Sequence, residues 1–215
     1  MTGFTGGLHP LSILEGVRAA ALRTPRRIAL VEGDMALSYA ELMQAAGRVA
    51  AGEPHACAAV QWLGAMSADA SAGEGRPAAT VQEGSRVRTL SHREVLLRAF
   101  DRIVEHAAFD RDGVIATPLP FSSAGGVVAV TIALWLGSTV HLLRPGELAA
   151  LAQGIAQGRF NTCWLGASEL AALAKVQQPL PAPADAFVLA VCEEAPSEGL
   201  RRRLADWLGA SRVAQ

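Results

Sequence analysis

Two serines, two glutamates and five histidines are the residues whose types could carry chemistry in this chain. Ser122 and Ser123 lie in the loop PLPFSSAGG, just ahead of an apolar stretch. A nucleophilic serine needs a base within hydrogen-bond reach. His9, His55, His92, His106 and His141 are scattered along the sequence, and no G-x-S-x-G elbow is present, so a hydrolase has little support. The histidines show no pairwise metal-ligand spacing, and Cys57, Cys163 and Cys192 are odd in number, far apart and set among apolar neighbours. They read as buried small hydrophobes of a reducing compartment, not as disulfides or a zinc site. Glu193 and Glu194 follow an apolar run that reads as a strand, and the carboxyl ends of strands are where open α/β sheets bind ligands. An ordinary pair of loop acids would look the same. Arg86 and Arg88 alternate along a predicted strand, and Arg201, Arg202 and Arg203 precede Asp206 on a predicted helix; both sets read first as solvated faces. Lys175 is the sole lysine among 19 basic residues.

These residues need a scaffold, and 215 residues, half of them hydrophobic, can supply one sizeable core or two lobes that share one. The formal net charge of -1 gives no reason to expect nucleic acid or an anionic membrane as partner. The opening MTGFTGGLHP has no basic segment followed by an apolar run, so no export signal is read and a cytoplasmic location is expected. From Gly113 to Leu143 there is no Asp, Glu, Lys or Arg, which raises the question of a membrane span. Pro118, Pro120, Ser122, Ser123 and the Gly137-Ser138 pair interrupt it well short of the roughly 20 residues that a span needs.

The pattern predicts a capped helix over 13–23 (Ser12 with Glu15), a hairpin over 28–37 turning at Glu32-Gly33-Asp34, and a second capped helix from Ser38 and Glu41 to about Ala51. A buried helix over 57–66 follows, then a connection rich in Ala, Ser and Gly. Strands over 79–82 and 86–90 flank the turn Glu83-Gly84-Ser85, and Ser91 with Glu94 opens a third capped helix, to about His106. The remainder alternates: strand 114–117, helix 126–136, strand 139–143, helix 147–157, strand 162–165, a short helix capped by Ser168, strand 187–192 and helix 197–208. Strands alternating with helices at this spacing imply an α/β fold, a mainly parallel sheet flanked by helices with right-handed crossovers. Two parts are expected: a helix-hairpin-helix segment over 1–77, and a sheet lobe over 78–215 that shares its core.

In that order, five segments resemble the N-terminal domain of the acyl-adenylating superfamily, the AMP-forming acyl-CoA synthetases and nonribosomal peptide adenylation domains. TPRRIALVEGDMALSYAELMQAAGRVA is similar to the family's opening hairpin and T-Y-x-E-L helix start, here Ser38 to Leu42. LSHREVL is similar to the segment after the family's phosphate loop. PLPFSSAGGVVAVTIALWLGSTVHLL resembles its L-P-x-F-H-x-x-G loop, buried helix and strand. RFNTCWLGASELAALA resembles the wall of its acyl pocket, and CEEAPSEGLRRRLADWLG the loop and helix beside its adenine site. The resemblance implies a shortened version of that domain. It also implies an acyl or aryl ligand pocket drawn from Phe121, Ser122, Ser123, Gly125, Gly126, Trp164, Gly166, Glu194, Ala195 and Pro196.

The parts that grip a nucleotide do not carry over. The family's T-S-G-T-T-G-x-P-K-G loop holds phosphates with backbone N–H groups and a lysine. Here only EGSRVRT separates Gln82 from Leu90, and Glu83 would repel phosphate. Tyr39 is the only tyrosine, so no aromatic platform of the Y-G-x-T-E kind is expected, and Lys175 lies on the pocket-wall helix instead of at a catalytic position. The family's pocket-gating histidine falls on Ser122 or Ser123, and its adenine-loop glycines on Cys192, Glu193 or Glu194. The sequence reaches SRVAQ about where the family's magnesium-binding segment would begin. The expectation is a degenerate synthetase-like domain without catalytic residues, metal or cofactor. It would bind an acyl or aryl acid, or dock as a homo-oligomer or with a synthetase or carrier protein. The alternative is an acid-CoA ligase completed by a partner chain, which would use ATP, magnesium and CoA.

Overall fold

The computed structural model describes residues 12–68, 75–83, 85–105, 113–144, 147–173, 175, 189–192, 197–202 and 213–214. The N-terminal half holds α1 (Ile13–Arg23), the strands β1 (Ile28–Glu32) and β2 (Met35–Ser38), α2 (Tyr39–Ala50) and α3 (Ala58–Ala68). Next come β3 (Pro77–Glu83), β4 (Arg86–Ser91) and α4 (His92–Glu105), and then β5 (Val114–Thr117), α5 (Ala124–Leu136) and β6 (Thr139–Leu142). The chain continues through α6 (Leu148–Ala156), β7 (Thr162–Leu165), α7 (Ala167–Leu173), β8 (Leu189–Cys192) and the short β9 (Val213–Ala214).

All three predicted capping boxes form. Ser12 and Glu15 close α1 and Ser38 and Glu41 close α2 reciprocally, while Glu94 accepts from the Ser91 backbone at 2.9 Å and its own N–H donates to Ser91 Oγ at 3.2 Å. Each box satisfies N–H groups that a helix cannot pair internally. Gly33 turns the β1–β2 hairpin at φ 58°, a left-handed conformation that a side chain would strain.

Seven strands form one sheet in the order β2-β1-β6-β5-β7-β8-β9. Within this sheet, among the described residues, only β1 and β2 pair antiparallel; β1 pairs parallel with β6, Leu30 opposite Val140, and the remaining pairings are parallel. The expected fold class is the one observed. The strand from the first segment therefore completes the sheet of the second. The hairpin β3–β4 stands apart as a two-stranded sheet, its register running to Glu83 opposite Arg86.

Alternation along the strands sends Ile115, Val140 and Trp164 into a core with α1 to α5, and Ala116, Cys163 and Leu165 into a smaller core with α6. Helix α5 is buried on all sides from Ala124 to Leu134, as its lack of any charged residue requires. Among the described residues, no helix is long and apolar enough to cross a membrane.

Some local expectations shift. Helix α5 begins at Ala124, two residues before the predicted start, because Ser123 accepts from the Gly126 N–H and caps it. Ser168 lies inside α7, which starts at Ala167, and does not cap it; Lys175 lies beyond the end of that helix. The strand β9 was not anticipated, since two residues carry no readable period. Most of the predicted connection after residue 68 lies outside the described residues.

Candidate functional site

Strands β5 and β6 are neighbours whose onward connections part company. The chain leaves β5 for α5 in the larger core, and leaves β6 for α6 in the smaller one. A crevice at the carboxyl ends of such strands is where open α/β sheets receive ligands. The loop leaving β5 is tied down at both ends. The Thr117 hydroxyl donates to the Trp164 carbonyl at 3.0 Å and accepts from the Leu119 N–H at 3.2 Å. Ser123 Oγ donates to the Pro120 carbonyl at 2.9 Å. The Gln82 N–H donates to the Ser122 carbonyl at 2.7 Å, joining this loop to the hairpin. Phe121 packs edge-on against Trp62, with ring centroids 5.1 Å apart. The Trp62 indole N–H donates to the Ala78 carbonyl at 2.6 Å, and the side chain is part of the larger core.

Beside this loop lies a cavity of about 310 Å³ lined by Arg98, Asp101 and Arg102 of α4, Ala124, Gly125 and Val128 of α5, and Trp164 of β7. Two of the expected pocket residues, Gly125 and Trp164, line it. Phe121, Ser122 and Ser123 frame the start of α5. Gly126 is a packing glycine, since a Cβ there would overlap the Pro120 carbonyl. Gly166 is another, with Glu169 and Leu119 filling the space beside it. Glu194, Ala195 and Pro196 lie outside the described residues. The third wall, α4, was missed. Its signal was present as Arg98 and Arg102, four residues apart on one face of an amphipathic helix.

The hairpin at the expected phosphate position has a different character. The Arg88 guanidinium donates to Glu94 at 2.6 Å, and Arg86 is exposed opposite Glu83. Hydrogen bonds from Ser91 and the nearby Arg88 charge hold the Glu94 carboxyl below its ordinary pKa. The arginine charge is thus spent on a helix cap. Tyr39 is wholly buried, its hydroxyl donating to the Ser138 carbonyl at 2.8 Å. His92 is buried at the start of α4.

A second cavity, about 400 Å³, lies against the other face of the sheet between β1, β6 and α6, lined by Val31, Gly33, His141 and Glu147 among others. Burial, with a smaller contribution from Arg159, lowers the His141 pKa, and its ring meets Phe160 edge-on at 5.0 Å. No group of three or more metal-ligating side chains occurs among the described residues.

Comparison of the whole structure with solved ones is decisive for the fold. The o-succinylbenzoate coenzyme A synthetase of Bacillus subtilis superposes with a TM-score of 0.72 at 13% identity, over 89% of this chain and 56% of that one. The chain shares the fold of this synthetase. The fatty acyl-adenylate ligase of Legionella pneumophila matches with a TM-score of 0.75 at 12% identity, over 91% of this chain and 52% of that one. The luciferase-like enzyme of the mealworm Zophobas morio gives 0.73 at 12%, over 99% and 73%. The chain spans about half the length of the first two. No family profile matches the sequence, and no curated protein matches it.

Proposed function

We propose that this chain is a degenerate relative of AMP-forming synthetases that binds an acyl or aryl acid without activating it on its own. One observation carries the reading. A closed β-hairpin, Glu83 opposite Arg86, stands where the resemblance calls for a phosphate-gripping loop, while a cavity persists between α5 and β7. Transfer of a nucleotidyl group depends on donors and cations placed where charge develops. The described hairpin offers a two-residue connection and an arginine already paired with Glu94. Association with a second copy, a synthetase or a carrier protein belongs to the same proposal. Exposed Leu22, Val87 and Leu97 are in keeping with it.

The competing reading is an AMP-forming acid-thiol ligase completed by a partner. The fold likeness favours it, since the solved structures that match include a synthetase and a ligase by name. Titration calorimetry with ATP and magnesium, together with acid-dependent pyrophosphate exchange, separates the two. No heat and no exchange are expected. Micromolar ATP binding by the isolated chain would overturn the proposal in favour of the ligase. Light scattering behind a sizing column tests self-association, which a strictly monomeric chain at high concentration would refute.

A further inference from the structure

The hairpin β3–β4 is held on one side and open on the other. Ala78, Val81 and Leu90 belong to the larger core, and the Gln82 N–H donates to the Ser122 carbonyl at 2.7 Å. That N–H therefore points away from β4. In an antiparallel ladder the residue opposite must then turn its own N–H and carbonyl outward as well, and the residue opposite Gln82 is Val87. Two residues on, the pairing of Thr80 with Thr89 repeats the orientation. Val87 and Thr89 thus aim their main-chain groups off the outer edge of β4, where no hydrogen bond from outside the hairpin meets them among the described residues. Residues 86–89 are all exposed, Val87 to 76%. The Arg88–Glu94 pair at 2.6 Å ties the strand to α4, so the open edge is already in order before anything binds.

Side chains decide what such an edge accepts. Val87 and Thr89 lie on one face of β4 and Arg86 and Arg88 on the other, and the strand carries no acid. A second copy fits poorly. Pairing Val87 with its own copy sets Arg86 against Arg88, and pairing Val87 with the copy's Thr89 sets Arg88 against Arg88; like charges directly opposite destabilise a sheet. Arg86 makes no ion pair among the described residues, so its charge is open to an incoming carboxylate.

We infer that the outer edge of β4 receives an extended segment of a partner protein as an added strand. Its acidic side chains lie at alternate positions beside Arg86 and Arg88, and apolar or β-branched ones lie beside Val87 and Thr89. Main-chain bonds supply the affinity and the arginines the choice of partner. The assignment rests on the docking part of the proposed function and names its surface and kind of partner. It is independent of acid binding in the cavity between α4, α5 and β7.

The test uses the unaltered chain and short, blocked, labelled peptides, with binding read by fluorescence anisotropy and amide exchange by NMR. One peptide alternates Glu with Val and Thr, another has Lys for each Glu, and the last keeps every Glu but has Pro at interior Val and Thr positions, where it cannot carry a ladder. The Glu peptide is expected to bind about tenfold or more tightly than the Lys peptide, the scale of a few cross-strand charge pairs. It should also slow exchange at the Val87 and Thr89 amides, and the Pro peptide should not bind. Arg86→Glu should erase the preference for the Glu peptide. Equal binding of the Glu and Lys peptides, equal binding of the Pro peptide, protection confined to other amides, or no binding at millimolar concentration would each overturn the inference. Exchange at both amides that slows with rising concentration of the chain alone would overturn the partner in favour of a second copy. Acid binding stands or falls by its own titration. If Arg86→Glu does not fold, the peptides on the unaltered chain still decide.

Discussion

The Tyr39 hydroxyl donates to the carbonyl of Ser138 across 99 residues of sequence, at 2.8 Å and out of contact with water. The carbonyls of Ala133 and Leu134 lie 3.2 Å from the same oxygen, so one phenol closes the C-terminal turn of α5. Burial raises the Tyr39 pKa far above its ordinary value, and the proton is kept. Tyr39→Phe keeps the ring and removes the donor from a cluster of buried acceptors. A loss of about 1–3 kcal/mol is expected, read as a lower urea midpoint with an unchanged slope.

Two glycines should respond to alanine in opposite directions. Gly47 lies on α2 with nothing within 4 Å of an added Cβ, so Gly47→Ala should stabilise by about 0.5–1 kcal/mol through helix propensity. Gly126 gains the same propensity, but its Cβ would overlap the Pro120 carbonyl, which is main chain and already accepts from Ser123. Overpacking of this sort costs about 1–3 kcal/mol, and the net effect of Gly126→Ala should be destabilising. Thermal melts of the pair side by side check the sign of each.

Stability should fall in two steps on the acid side. His141 is held below its ordinary 6.5, so the unfolded chain binds its proton more readily and unfolding takes up protons. Stability then declines as pH drops below about 6.5 and stops declining once the folded pKa is passed. Glu41 is held below its ordinary 4.5 chiefly by the Ser38 hydroxyl, and Glu94 chiefly by the Ser91 backbone. Their contribution is full above the unfolded value and is lost as pH falls through the folded ones. Melting temperature against pH should show both limbs. His141→Gln should flatten the upper one and Ser38→Ala the lower, while Ser91→Ala should change the lower limb less, because the Ser91 N–H that chiefly holds Glu94 remains.

Burial pushes the Cys57 thiol up to about 11 and the Cys163 thiol up to about 12. Thiolate is the reactive form, so both should resist a disulfide reagent at pH 8 until the chain opens. Labelling of these two at the rate of global unfolding, followed by mass spectrometry, is the expected result. Rapid labelling of either in the native chain would contradict its placement.

Much of this architecture could be read from local chemistry. The three Ser-x-x-Glu boxes, the Gly33 turn and the charge-free α5 each depend on neighbours in sequence, and each appears where its pattern predicts. Sheet order is another matter, because the pairing of Leu30 with Val140 leaves no local trace. The roles of Tyr39 and Gly126 depend on partners brought close only by the tertiary fold. Of the residues that line the cavity between α4, α5 and β7, Gly125 and Trp164 are ones the resemblance names, whereas Arg98, Asp101 and Arg102 are set apart only by an i, i+4 spacing that ordinary solvated helix faces share.

The parallel pairing of β1 with β6 has a consequence for synthesis on the ribosome. The edge of β1 lies unoccupied until Thr139 to Leu142 emerge, more than a hundred residues later. Such distant closure is slow and leaves apolar edge exposed in the meantime. The nascent chain is therefore a natural client for chaperones that shield strands, and a pause in translation shortly after β6 clears the exit tunnel would give that strand time to dock.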